Sequence, residues 1–214
     1  MPHRVFLLSP ASSSGKRCQL LLARGASFEL ARRVRGDGAS LGEVFSFLSS
    51  LYFRGKLTYA QRFATPPDGC PAAFVITADR GLVAPETTIR LRDVRAFGRV
   101  PIDAGERRYA IPLRESTRAL AERLPSGAQV VLLGSIATSK YVDLLREVFG
   151  PALLFPPAFV GRGDMSRGGL LLRAARAGVE LDYAALDGAV RRGPRAARLS
   201  ELTRLRHRPP IGPL

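Results

Sequence analysis

The chain has 214 residues, of which 46% are hydrophobic, and a formal net charge of +15 with a sequence pI near 11.2. This length and apolar content fit one globular domain with a substantial core. No stretch approaches the roughly 18 apolar residues of a membrane span, and the apolar part of MPHRVFLLSP is too short for a signal peptide, so a cytoplasmic protein without a membrane partner is expected.

Cysteine and histidine are too few and too scattered for the common metal centres and hydrolase triads. The two cysteines, Cys18 and Cys70, have no partner at metal-ligand spacing, and His3 and His207 are the only histidines. Neither a metal nor a cofactor is expected, and catalysis that depends on histidine is disfavoured.

The positive charge is carried almost entirely by arginine, because lysine occurs only at positions 16, 56 and 140. A surface of this charge attracts polyanions, so nucleic acid is the expected partner. A coding bias from a GC-rich genome would also enrich arginine together with alanine, glycine and proline, and composition leaves this alternative open.

Apolar runs alternate with segments of helical spacing along the chain. A buried strand is predicted over residues 5–8, a helix over 41–53 and, after Gly55, a second helix over 57–64. Further strands are predicted over 72–77, 128–135 and 152–155, and further helices over 139–149 and 165–178. This alternation predicts an α/β fold with a mainly parallel or mixed central sheet flanked by helices. We expect a single domain over residues 1–190 and a basic tail, rich in Arg and Pro, over 191–214.

Three polar segments of small residues directly follow predicted strands: SPASSSGK at 9–16, TADRGL at 77–82 and GSIATSKY at 134–141. Ligands of parallel sheets bind at the carboxyl ends of the strands, so these segments should line one site. Ser9, Asp79 and Lys140 are the candidate catalytic residues of that site. A solvated ion pair between Asp79 and Arg80 is the alternative for the second segment.

The first segment resembles a nucleotide phosphate loop only in its Gly15-Lys16 pair. Such a loop needs an earlier glycine, where Pro10 stands, and a hydroxyl residue after the lysine, where Arg17 stands. A strand-end turn that caps the next helix is the preferred interpretation, with Lys16 and Arg17 as anion contacts.

A second group of cations precedes and opens the last predicted helix. FVGRGDMSRG places Arg162 and Arg167 on either side of a turn where backbone N–H groups and the helix dipole favour a phosphate. A capped helix with a local ion pair to Asp164 is the alternative.

Tyr52, Lys56 and Tyr59 combine two aromatic rings with a cation near a predicted helix junction. Tyr52 and Tyr59 are candidate base-stacking residues, and Lys56, like Arg80, is a candidate phosphate contact. Core packing is the alternative for a tyrosine at helical spacing.

Four motifs occur in a fixed order along the chain. They are Ser9-Pro10-Ala11, then Gly81, Leu82 and Pro85 within residues 77–85, then Gly134-Ser135 with Lys140-Tyr141, and last Arg162-Gly163-x-Met165-x-Arg167. Together they resemble the YaaA-type peroxide-stress protein family, and the resemblance covers most of residues 5–170. It implies a YaaA-like fold and a cytoplasmic protein that binds DNA, ahead of RNA, through Arg–phosphate contacts and is linked to protection against peroxide.

The strand-end turn at residues 81–85 carries a looser resemblance to the lysine-transfer domain of archaeosine synthases. This resemblance implies the alternative function, an enzyme that modifies a nucleobase or nucleoside in a pocket at the carboxyl ends of the strands. A nucleobase-type small ligand is then a further expected partner.

Overall fold

A six-stranded sheet runs through the centre of the computed structural model, which describes residues 2–11, 13 and 15–196. In order across the sheet the strands are β4 (Leu82–Val83), β3 (Ala73–Ile76), β1 (Arg4–Leu8), β6 (Gln129–Leu133), β7 (Leu153–Phe155) and β8 (Ala184–Ala185). The inner four strands are parallel, and the edge strands β4 and β8 are antiparallel to their neighbours. A separate ribbon pairs β2 (Ala39–Ser40) with β5 (Thr88–Ile89). The predicted α/β fold with a mixed central sheet is confirmed.

The central strands are apolar on both faces, as a sheet covered on both sides requires. Val5 and Leu7 of β1 belong to the apolar cluster on one face, whereas Phe6 and Leu8 belong to the cluster on the other. In the register of the sheet, Leu8 lies beside Val75 of β3 and Leu133 of β6. The carboxyl ends of β1, β3 and β6 therefore meet at one edge.

Helices cover both faces of the sheet. They are α1 (Lys16–Leu22), α2 (Glu29–Arg35), α3 (Leu41–Phe63), α4 (Leu91–Phe97), α5 (Arg107–Arg123), α6 (Ser139–Phe149) and α7 (Asp164–Ala177), with short 3₁₀ helices at Gly150–Ala152 and Pro157–Phe159. The helices α1 to α4 and α7 contribute to the cluster around Phe6, and α5 and α6 contribute to the cluster around Leu7.

The predicted break at Gly55 is wrong, because α3 continues through this position. Its kink lies at Ser50, which has the left-handed backbone angle φ of 49°. Gly55 instead lets α3 approach α7, since a Cβ atom at Gly55 would stand 2.7 Å from the carbonyl oxygen of Gly168. This close crossing joins the helix that carries Lys56 to the helix that carries Arg167.

The predicted basic tail lies mostly outside the described residues. Its first part, residues 191–196, is irregular, and Ala196 N–H donates to the Gly161 carbonyl oxygen. The extent of the domain predicted over residues 1–190 stays a prediction. Within the described residues, no helix combines the length and the apolar character that crossing a lipid bilayer requires.

Candidate active site

Ser9 lies directly after β1, at the carboxyl edge of the sheet. Its N–H donates to the Leu133 carbonyl oxygen over 3.2 Å, and only 6% of the residue is exposed. Across from it stands Gly134, where a Cβ atom would lie 2.8 Å from Ser9 Cβ and 2.9 Å from Tyr141 Oη. Glycine at position 134 is therefore what allows the ends of β1 and β6 and the Tyr141 hydroxyl to come together.

Lys56 reaches this edge from α3 and is completely buried. Its Nζ donates to the Ser9 carbonyl oxygen over 2.6 Å and to Ser9 Oγ over 2.9 Å. The ammonium group also lies 4.4 Å from the centre of the Tyr52 ring and 4.9 Å from that of Phe53. Among the residues that the structure describes, no carboxylate forms an ion pair with Lys56.

Burial without an ion pair changes the acid–base chemistry of Lys56. Desolvation lowers the pKa of Lys56 to about 7, with the negative charge of Asp164 opposing the shift and the positive charge of Arg167 adding to it. A large fraction of this side chain is consequently a neutral amine near neutral pH. A neutral amine can accept the Ser9 hydroxyl proton, which an ammonium group cannot do.

Two tyrosine hydroxyls surround the pair. Tyr141 Oη donates to the Ser135 carbonyl oxygen over 2.8 Å, and burial raises the pKa of Tyr141 to about 12 against the effects of Ser9 and Arg167. Tyr52 Oη is buried and makes no well-formed hydrogen bond among the described residues. Burial raises the pKa of Tyr52, and the adjacent Arg167 guanidinium opposes this shift. Both hydroxyls stay protonated; the Tyr141 proton is donated to Ser135, whereas the Tyr52 proton has no well-formed acceptor among the described residues.

Arg167 joins this pair to the start of α7. The residue is 8% exposed, its Nε donates to the Phe159 carbonyl oxygen over 3.2 Å, and its guanidinium forms a 3.2 Å ion pair with Asp164. Arg162 Nε donates to the Ala158 carbonyl oxygen, and its guanidinium also donates to Ser166 Oγ. The local ion pair to Asp164 is therefore present, and the phosphate-binding roles of both arginines stay predictions.

The predicted Asp79–Arg80 pair lies after β3, the strand beside β1. The Asp79 carboxylate is 3.6 Å from Arg80, which forms a closer ion pair of 2.6 Å with Asp93. Burial raises the pKa of Asp79, with Arg80 opposing the shift, and Asp79 Oδ1 is buried without a hydrogen-bond partner among the described residues. Arg80 also lies 5.2 Å from the centre of the Phe97 ring. The catalytic role of Asp79 and the phosphate contact of Arg80 stay predictions.

The cations at the starts of α1 and α6 are on the surface. Lys16, Arg17 and Lys140 are all exposed, and Arg17 donates to the Phe47 carbonyl oxygen over 3.1 Å. None of the three has a described contact with Ser9 or Lys56. Their roles as anion contacts, and the catalytic role of Lys140, stay predictions.

The structure corrects the expectation that the residues around Lys56 form an exposed stacking surface. Tyr59 is fully buried, with its ring edge-on to Phe6 and its hydroxyl 2.7 Å from Tyr183 Oη. Tyr52 is 5% exposed, with the Lys56 ammonium over its ring. Base stacking needs an open ring face and a surface phosphate contact needs an exposed cation, so these three side chains belong to the interior.

Sequence reasoning missed that Lys56 pairs with Ser9 and that Gly134 and Tyr141 complete their surroundings. The contact joins residues 47 positions apart, so no local sequence pattern indicates it. The one available signal is the rarity of lysine in a chain that otherwise uses arginine, since only lysine readily becomes neutral when buried.

Comparisons with protein-family models, with curated proteins and with solved structures each returned no match. The YaaA-type resemblance and the looser one to archaeosine synthases therefore stay predictions from the motifs.

Proposed function

We propose that this protein is an enzyme that modifies a nucleobase or nucleoside, with Ser9 as the nucleophile and Lys56 as its base. The observation that carries this proposal is the fully buried Lys56 ammonium, hydrogen-bonded to Ser9 at the carboxyl edge of the sheet without an ion-pair partner among the described residues. Burying an unpaired cation costs several kcal/mol, so such a group favours a chemical role over a stabilising one.

In the proposed reaction, neutral Lys56 removes the proton of Ser9 Oγ while this oxygen attacks a carbon atom of the substrate. The bond from that carbon to its leaving group breaks, and Lys56 returns the proton to the leaving group. An acceptor then gives up a proton to Lys56 and attacks the same carbon. The bond from that carbon to Ser9 Oγ breaks, and Lys56 passes the proton to Ser9 Oγ, so the chain ends unchanged. The positive charge of Arg167, which acts on Lys56 and Tyr141, would stabilise negative charge that develops in this reaction.

The class of substrate comes from the charge of +15 and from the strand-end turn at residues 81–85, which resembles that of a nucleobase-modifying domain. A mass-spectrometric survey of nucleosides, mononucleotides and oligonucleotides, each offered with free bases and amines as acceptors, tests this proposal. We expect conversion in one class, and its loss in Lys56→Met and in Ser9→Ala. Arg54→Met, which removes an exposed cation from the same helix, is the matched control.

Two results would overturn the proposal. One is conversion that persists in Lys56→Met at the rate of the Arg54→Met control. The other is the absence of conversion in every substrate class above the pKa of Lys56, where the amine is neutral.

A second function, binding of DNA ahead of RNA through Arg–phosphate contacts, is favoured by the exposed cations Lys16, Arg17 and Lys140 near the same edge of the sheet. The affinity should fall steeply with salt, and each lost phosphate contact should reduce the slope of log K against log[salt] by about 0.9. Titration of duplex DNA, single-stranded DNA and RNA with Lys16→Ala/Arg17→Ala tests it. A slope equal to that of the parent chain would contradict a role for these two residues.

The implied link to peroxide protection rests on the resemblance alone. Cys18 is buried and Cys70 is half-buried, and burial raises the pKa of both thiols. Neither has the lowered pKa of a peroxide-sensing cysteine.

A further inference from the structure

We propose that the cavity between Arg167 and residues 191–193 is a subsite for a phosphate group, so that the substrate of the Lys56–Ser9 site is a nucleotide. This inference rests on the proposed function for the reaction but on separate residues for binding. The cavity has a volume of about 270 Å³, and its lining includes Ile136, Phe159, Arg162, Arg167, Arg191 and Arg192. Pockets for drug-sized ligands are larger, about 300–1,000 Å³, so this one fits a small polar group.

Arginine dominates the charge of this cavity. Arg167 pairs with Asp164, and Arg191 forms a 2.8 Å ion pair with Asp143. Arg192 donates weakly to the Ala137 carbonyl oxygen over 3.4 Å and has no carboxylate partner among the described residues. The side chains of both acids are exposed to solvent, 69% for Asp164 and 46% for Asp143, so water weakens their ion pairs with the guanidinium groups.

The start of α7 adds to this positive potential. Gly163, at the N-cap, supplies no side-chain hydrogen bond to the backbone N–H groups of the first turn. Arg162 and Arg167 stand on either side of that turn. Guanidinium groups bind phosphate in a bidentate manner, and the helix dipole reinforces them.

The cavity adjoins the reactive pair through a shared residue. Arg167 lines the cavity, and its charge also acts on Lys56, Tyr52 and Tyr141. A phosphate held against Arg167 would therefore contact the same side chain whose charge acts on the reactive pair.

The outer wall of the cavity is held in place by close backbone contacts. Gly161 has a left-handed backbone angle φ of 72°, and a Cβ atom there would overlap the Pro194 carbonyl oxygen. A Cβ atom at Gly193 would lie 2.9 Å from Val160 Cγ1. These contacts position Arg191 and Arg192 over the cavity.

A larger cavity of about 430 Å³ lies between α3 and α7 and includes Arg62 and Arg176 in its lining. Both arginines stand in the last turns of their helices, where cations offset the negative ends of the helix dipoles. The helix dipoles therefore account for Arg62 and Arg176 without a bound anion. The smaller cavity is for this reason the better candidate for a phosphate site.

Equilibrium binding of four probes tests the proposal: inorganic phosphate, adenosine 5′-monophosphate, adenosine, and a short single-stranded oligonucleotide without terminal phosphates. We expect the monophosphate to bind at least about tenfold more tightly than adenosine. Arg191→Ala/Arg192→Ala should weaken binding of phosphate and monophosphate by at least about tenfold, and Arg195→Ala, from the same segment but outside the cavity lining, by less than about twofold.

An oligonucleotide that binds more tightly than the monophosphate, with the same dependence on Arg191 and Arg192, would assign the phosphate to a polynucleotide. Equal binding of adenosine and its monophosphate, or equal affinities of the Arg191→Ala/Arg192→Ala and Arg195→Ala variants, would overturn the subsite.

Lys56→Met separates this inference from the proposed function. If the variant binds the monophosphate normally but does not convert substrate, both stand. If it binds and converts normally, the proposed function fails while the phosphate subsite remains.

Discussion

Lys56 Nζ lies 2.6 Å from the carbonyl oxygen of Ser9 and 2.9 Å from its Oγ, although the two residues are 47 positions apart. The first contact satisfies a backbone carbonyl at the end of β1, and the second connects a titrating amine to a hydroxyl group. Because Lys56 is completely buried, its protonation is coupled both to the stability of the fold and to the reactivity of Ser9.

The unfolding free energy should rise with pH above about 7 because of Lys56. The ordinary pKa of this side chain is 10.5, so between these values the unfolded chain binds more protons than the folded one. The contribution of Lys56 reaches up to about 1.4 kcal/mol per pH unit. Urea unfolding of the parent chain, Lys56→Met and Arg54→Met across this range measures it. The Arg54→Met variant should keep the slope, and parallel profiles of the parent and Lys56→Met would contradict the lowered pKa.

Replacing Ser9 by alanine should lower the pKa of Lys56 below about 7. The charged ammonium loses the Oγ acceptor, whereas its burial is retained. Ser135→Ala, at the end of the neighbouring strand, is the control and should leave the titration in place. A pKa of Lys56 that is unchanged or higher in Ser9→Ala would show that the hydroxyl does not stabilise the ammonium form.

Tyr59→Phe should destabilise the fold by about 1–3 kcal/mol, because Leu181 N–H would lose its buried acceptor. Tyr52→Phe removes a hydroxyl with no well-formed hydrogen bond among the described residues, so its effect should stay within about 0.5 kcal/mol. Chemical denaturation compares the two variants directly. Equal losses of stability would mean that the Tyr52 hydroxyl is hydrogen-bonded in solution.

Gly55→Ala should destabilise the fold even though alanine favours helices by about 1 kcal/mol. The new Cβ would stand 2.7 Å from the Gly168 carbonyl oxygen and force α3 and α7 apart, at a cost of about 1–3 kcal/mol or more. Gly25→Ala is the control, because among the described residues, its chain neighbours aside, no atom lies within 4 Å of the added Cβ. If Gly55→Ala raised the melting temperature, the close crossing of the two helices would be contradicted.

The fold was predictable where apolar runs are long. The predicted strand over residues 5–8 matches β1 except for Arg4, and the one over 128–135 covers β6, because a central strand is apolar on both faces. The strands β2, β4, β5 and β8 have only two residues each, which is too short to show the alternation of apolar and polar residues that identifies a strand. Helix α5 was not predicted, since Pro112 lies inside it and its buried stripe includes the polar residue Thr117.

The location of the candidate site could be predicted from the sequence, but the chemical role of Lys56 could not. Parallel strands bring the segments after β1, β3 and β6 to one edge, and Ser9 was named there correctly as a residue of that edge. Lys56 is predicted to contact a phosphate because two tyrosines and a cation near a predicted helix junction suit the binding of a base. Its burial depends on the packing of α3 against β1, which involves residues distant in sequence.

Titration of the lysine side chains by ¹⁵N nuclear magnetic resonance tests the central claim most directly. The chain contains three lysines, so selective labelling yields three Nζ signals, and the one missing in Lys56→Met belongs to Lys56. We predict that this signal titrates with a pKa of about 7. A Lys56 ammonium that stays protonated up to about pH 9.5, near the ordinary range for lysine, would contradict its role as the base that activates Ser9.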